Sequence, residues 1–163
     1  MYECPECGFT YDRSARQVPD AIAREVATVP ELLAAGSSPE VRRDPSAWSP
    51  LEYACHMRDV LLVQRERVLA SRRVDIPSFE SMGREERVEH DGYAEQHVDD
   101  VSRQLHDAAL LFGRVLDRLD QAGWERRVVY NYPSRQERSV EWVAVHTLHE
   151  MVHHIADIRR QLG

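Results

Sequence analysis

Apolar residues recur at spacings of three and four in four separate stretches of the chain, the period of a helix with one buried face. In the first, Asp20 to Ala35, the residues Ile22, Val26, Val29 and Leu33 share that face, and Pro30 must kink or split the helix because it has no N–H to give. Gly36 to Trp48 is a loop dense in Ser, Pro and Gly, and it runs into a strong helix start. Ser49-Pro50-Leu51-Glu52 places a capping Ser, a Pro at the first helical position and a Glu three residues after the cap, so a second helix should run to about Ser71. Val74 to Gly92 reads as a polar connection covering one end of the fold. The third helix, Glu95 to Ala122, carries Val98, Val101, Leu105, Ala108, Phe112, Val115 and Leu119 on one stripe, and Gly123 is expected to end it. Val128 to Pro133, VVYNYP, is the one strand-like run and is expected to be an extended connector. The fourth helix runs from Ser139 to Gly163 with Val145, Leu148, Val152, Ile155 and Leu162 inward. Four amphipathic helices predict an all-α four-helix bundle.

The polar face of the fourth helix is unlike the others. The helix holds four of the eight histidines within nine residues, and on that face His146, Glu150, His153, His154 and Asp157 fall within roughly 100° of one another. A solvated face would be built from Glu, Arg and Gln; this one is built from metal ligands. The pairs His149 with His153, Glu150 with His154, His146 with Glu150 and His153 with Asp157 are each one turn apart, and spacing alone does not choose among them. A metal between bundle helices also needs a ligand from a neighbour. His56, in the second turn of the second helix, is the only histidine in the first half of the chain.

Composition narrows the function classes. At 163 residues the chain suits one domain with a small N-terminal appendage: residues 1–17 as a Cys-x-x-Cys extension and 18–163 as the bundle. A charge of −7 argues against nucleic acid, and no run of eighteen apolar residues is present to span a bilayer. The start, MYECPECGFTY, lacks the basic and apolar regions of a signal peptide, so the expected compartment is the cytoplasm. All 21 basic residues are Arg, which excludes lysine Schiff-base or general-base chemistry. Cys4-Pro-Glu-Cys7-Gly8 resembles half of a zinc ribbon. It is a vestigial knuckle, an exposed redox pair, or a second metal site completed by a histidine or by another chain, the last making a homodimer.

Trp48-Ser49-Pro50, Glu52-Tyr53 and His56, followed about ninety residues later by HTLHEMVHHIADI, resemble the DinB-like superfamily of bacterial four-helix bundles over roughly Asp20 to Leu162. Many members end the fourth helix in His-x-x-x-His-x-Gly-Gln. The branch containing mycothiol-dependent maleylpyruvate isomerase has Glu-x-x-x-His-x-x-Asp, the spacing of Glu150, His154 and Asp157. The resemblance implies a metal triad of His56, Glu150 and His154, with Asp157 orienting a ligand; His149 and His153, the better ligands by residue type, are the alternative pair. It also implies zinc, or nickel, and a thiol such as mycothiol or bacillithiol held as the nucleophile for S-transfer or isomerisation of a small electrophile. Arg65, Arg159 and Arg160 are candidate anchors for an anionic substrate, and Tyr130, Tyr132 and Trp124 are candidates for the pocket mouth. Cys55 reads as a buried structural cysteine. The competing function is a non-catalytic metal-binding bundle acting as a sensor or a dimerisation module.

Overall fold

Two prolines and one threonine shape the first helical stretch. A computed structural model describes residues 3–131 and 134–162. Within it α1, Val18–Val26, starts with Pro19 in its first turn, and α2, Val29–Ala35, starts with Pro30 in its own. Pro30 has no amide to return to the carbonyl one turn back, so the chain breaks just before it, and the Thr28 hydroxyl donates to Glu25 O at 2.8 Å in the gap. The split that Pro30 implies is present.

The long helix α3, Pro50–Arg73, begins on the capping box its sequence announces. Ser49 Oγ accepts the Glu52 amide at 3.1 Å, and Glu52 Oε2 accepts the Ser49 amide at 2.7 Å. Arg42 binds the same carboxylate through two nitrogens, at 2.7 and 2.8 Å, which folds the preceding loop onto the helix start.

The connection after α3 is more structured than a polar loop. It holds a two-residue strand β1, Ser78–Phe79, and a short helix α4, Arg84–His90. Buried Asp59 of α3 anchors it: Oδ2 accepts the Tyr93 hydroxyl at 2.6 Å and Arg87 at 3.2 Å, while Oδ1 accepts Arg58 at 2.8 Å. The next helix, α5, spans Val98–Asp117, and a separate helix α6, Gln121–Glu125, follows. Gly123 therefore does not end the third helix. Asp120 does the work, because its Oδ1 accepts the Gly123 amide at 2.8 Å and starts a new helix.

Within the VVYNYP run, Val128 to Tyr130 is strand and not a connector. Strand β2, Arg127–Tyr130, pairs antiparallel with β3, Gln136–Ser139, and parallel with β1. The partner strand reads QERS, and β1 has two residues, so neither carries an apolar alternation that sequence periodicity could register. The last helix, α7, Val140–Leu162, leaves β3 directly, with Ser139 Oγ accepting the Trp142 amide at 3.1 Å.

Helix α3 packs on α5 and α7, and α1 packs on the same two, so α1 lies diagonal to α3 across a four-helix bundle. Leu51, Met57 and Leu61 of α3 share one core with Leu105, Phe112 and Leu116 of α5 and Met151 and Ile155 of α7, all fully buried. Each such side chain contributes about 1.5–3 kcal/mol of burial, and together they fix the rotation of α7 about its axis. Among the described residues no helix is long and apolar enough to cross a membrane. Ser49→Ala removes one arm of the capping box and should lower the unfolding free energy by about 1 kcal/mol, read from the midpoint of chemical denaturation.

Candidate metal centre

Glu150 and His154 stand one turn apart on α7, and the packing of α3 brings His56 to them. The three can each offer a ligand atom within 4.8 Å of the others. His154 Nε2 lies 3.5 Å from Glu150 Oε2, and the rings of His56 and His154 meet edge to face with centroids 4.8 Å apart. His56 is 2% exposed and His154 6%. The other nitrogen of His154, Nδ1, is 2.8 Å from Asp157 Oδ2, the arrangement by which a carboxylate orients a metal-binding imidazole. Arg160 holds Asp157 in turn. Tyr53 stacks on His154 at 5.4 Å and Trp48 meets the edge of His56 at 5.0 Å, so both rings are walled into single orientations.

One atom tests whether these residues suit a cation. His56 Nδ1 is buried with no hydrogen-bond partner among the described residues, which costs about 1–3 kcal/mol if nothing binds there. Two imidazoles and one carboxylate are ligands for zinc or a similar divalent ion, and three protein ligands leave a position open. The donor set fits.

The charges are arranged for a cation as well. Burial, reinforced by His154, pushes the His56 pKa down to about 3, so this ring is neutral at neutral pH. Burial also opposes charge on His154, but the carboxylates of Asp157 and Glu150 outweigh it and raise its pKa to about 9. Glu150 is held well below the carboxylate range, the pull of His154, His146 and His56 exceeding the cost of burial. Without metal the pair is therefore a buried imidazolium and carboxylate.

The alternative pair goes elsewhere. His149 and His153 group with Cys4 and Cys7, not with His56. His146 Nδ1 sits 2.8 Å from the Tyr11 hydroxyl, and its ring stacks on Trp142 at 4.6 Å. Two further groupings, His146 with His149 and Glu150, and His153 with His154 and Asp157, lie wholly on α7 and among the described residues gain no ligand from a second helix.

A cavity of about 60 Å³ opens beside His56 and Glu150, lined also by Gln64, Arg67, Arg84 and Tyr130. Tyr130 and His146 form part of its wall and also line a larger groove of about 940 Å³ that includes Tyr11, Arg13, Arg16 and Arg138. Tyr130 thus takes the place expected of it, whereas Trp124 is buried in the core and Tyr132 lies outside the described residues. Arg65 pairs with Glu66 and Arg160 with Asp157, and neither they nor Arg159 line either cavity. The arginines of the smaller cavity are Arg67 and Arg84. Arg67 had a legible signal: Val60, Gln64 and Arg67 follow His56 by four, eight and eleven residues along one face of α3.

A family model described as the DinB superfamily matches residues 14–158. Among solved structures, YfiT from Bacillus subtilis, described as a probable metal-dependent hydrolase with an unusual four-helix bundle topology, superposes with a TM-score of 0.70 at 15% identity. The match covers 89% of this chain and 87% of that one, and at this identity it is a likeness of fold. No curated protein matches the chain.

A cation that takes the His154 ligand position must displace the proton held there below a pKa of about 9. Apparent affinity should accordingly rise about tenfold per pH unit from near neutrality and level off above about 9, with His56 adding no slope in that range. Competition with a chromophoric chelator, in a Cys4→Ser/Cys7→Ser background so that only this group is read, measures the profile.

Proposed function

The chain belongs to the DinB superfamily, and on that footing we propose a divalent-metal-dependent enzyme that uses a low-molecular-weight thiol of the mycothiol type to attack a small anionic electrophile. The reaction is S-transfer, or isomerisation through a reversible adduct. The observation that carries this reading is the group His56, Glu150 and His154, with its partnerless His56 nitrogen, set beside a cavity that contains no cysteine.

A divalent ion held by those three side chains would supply Lewis acidity, lowering the pKa of a thiol so that its nucleophilic form is present at neutral pH. The chain supplies the rest. Asp157 keeps His154 Nε2 turned toward Glu150, and Trp48 and Tyr53 shield the two imidazoles on the other side. The attacking sulfur comes from outside the chain: Cys55 turns its Sγ toward Tyr93 O and Gln96, and burial pushes its pKa up to about 12. Arg67 favours an anionic electrophile. It is buried, lines the cavity and has no carboxylate partner among the described residues; its contacts are Glu80 O at 2.6 Å, Gln64, and the faces of Tyr130 and Phe79. The 940 Å³ groove, with Arg13, Arg16 and Arg138, has room for the body of a sugar-bearing thiol.

The description of YfiT motivates a second reading in which water replaces the thiol at the same site, and the 60 Å³ cavity is of a size for water. Stopped assays on metal-loaded protein separate the two. Consumption of a carboxylate-bearing electrophile should require the thiol, disappear with His56→Ala and Glu150→Gln, and show a KM about tenfold higher in Arg67→Gln, with a neutral electrophile unaffected. Thiol-independent cleavage of esters or amides at the same metal would establish the hydrolase and overturn the thiol reading.

A further inference from the structure

The N-terminal Cys-x-x-Cys extension plays no part in the triad, yet it folds against the same helix. Glu3 and Thr10 form an isolated antiparallel bridge, the Cys4 amide donates to Phe9 O at 2.9 Å, and the Gly8 amide donates to Cys4 O at 2.8 Å. Gly8 takes φ +70°, a backbone state that a side chain would strain. The two cysteines are free thiols whose sulfurs lie within 4.8 Å of each other. This turn lies on the flank of α7 where His149 and His153 project one turn apart.

We propose that Cys4, Cys7, His149 and His153 form a second metal site, a closed tetrahedral Cys₂His₂ zinc site that fastens the N-terminal segment to α7. The four can each offer a ligand atom within 4.8 Å of the others. Cys4 Sγ is 3.7 Å from His153 Nδ1. Zn–S and Zn–N bonds of about 2.3 and 2.0–2.1 Å at a tetrahedral angle place sulfur and nitrogen about 3.6 Å apart, so this edge of the tetrahedron is already formed. Spacing agrees: Cys-x₂-Cys on a turn and His-x₃-His on a helix are the ligand separations of structural zinc sites.

The outer nitrogens point the same way. His153 Nε2 lies 3.5 Å from Glu6 Oε2 and 3.6 Å from Asp157 Oδ2, leaving Nδ1 for the metal. His149 Nδ1 is 3.1 Å from the Tyr11 hydroxyl, and its Nε2 is buried without a partner among the described residues. Four protein ligands leave no open position, which marks a structural role and not a catalytic one. Both histidines come from the same chain as the cysteines, so the site needs no second copy.

The site has a consequence for the larger groove. Tyr11, two residues beyond Phe9, reaches both His146 Nδ1 and His149 Nδ1 and lines that groove with Arg13 and Arg16. Fastening the knuckle sets this wall in place.

The test is metal content and spectroscopy on the full chain. Untagged protein should carry two equivalents of zinc; Cys4→Ser/Cys7→Ser and His153→Ala should each lose one, and His56→Ala should lose the other. Cobalt-substituted wild type and His56→Ala should show sulfur-to-cobalt charge transfer, absent from Cys4→Ser/Cys7→Ser. For readout on the unaltered chain, a mercurial thiol reagent should release one zinc equivalent while the second stays bound. Undiminished metal in Cys4→Ser/Cys7→Ser, cobalt without the charge-transfer band, or a thiol-bound equivalent present only in dimers by sedimentation would each overturn the proposal. Loss of metal from His56→Ala alone bears on the triad and leaves this site standing.

Discussion

The geometry of one helix governs the chemistry of this protein. Successive residues of α7 are about 100° apart, and residues four apart share a face. Glu150 with His154 and His149 with His153 are therefore two ligand pairs offset by a single position, one directed toward His56 on α3 and the other toward the knuckle of Cys4 and Cys7. Rotating α7 by one residue would bring one pair into the other's place and carry that other pair away from its partners. What prevents it is packing: Met151, Ile155 and Ile158 are fully buried on the remaining face, and Ser139 caps the helix where β3 ends.

Charge reinforces that register. Asp157 sits between the two flanks, 2.8 Å from His154 Nδ1 and 3.6 Å from His153 Nε2, and Arg160 holds it from outside. One carboxylate thus orients one imidazole from each group. On α3 a comparable division separates function from framework. His56, Gln64 and Arg67 face the cavity, while Arg58 and Asp59 are spent on holding Tyr93 and Arg87 against the helix. The strand segment contributes Tyr130, whose hydroxyl accepts from Gln64 at 2.7 Å and whose ring carries Arg67 at 4.8 Å.

Helix periodicity and capping chemistry made the bundle readable: the Ser49 box and the Pro30 break follow from local physics, while the α7 stripe was drawn to one side of its true axis, Val152 and Leu162 being half-buried and Met151 and Ile158 fully buried. The sheet was not readable, because β3 is polar and β1 too short for alternation to register. The end of α5 was misassigned to Gly123 because an N-capping Asp at 120 is as strong a signal as a helix-ending Gly, and only packing decides which prevails. At the site, residue type named the ligands but not their partners. His149 and His153 looked the stronger pair for His56 until the fold placed Cys4 beside His153, a contact across 149 residues that no periodicity encodes. The triad that the family resemblance implies, His56, Glu150 and His154, is among the described residues the one α7 grouping that could draw a ligand from another helix of the bundle.

The most direct test of this account is an anomalous difference map from crystals of the untagged protein, recorded across the zinc absorption edge. The account predicts a peak among His56, Glu150 and His154, the position that the proposed chemistry requires. A map with density only between Cys4, Cys7, His149 and His153 would contradict it, leaving a zinc-fastened bundle without a metal-dependent reaction centre.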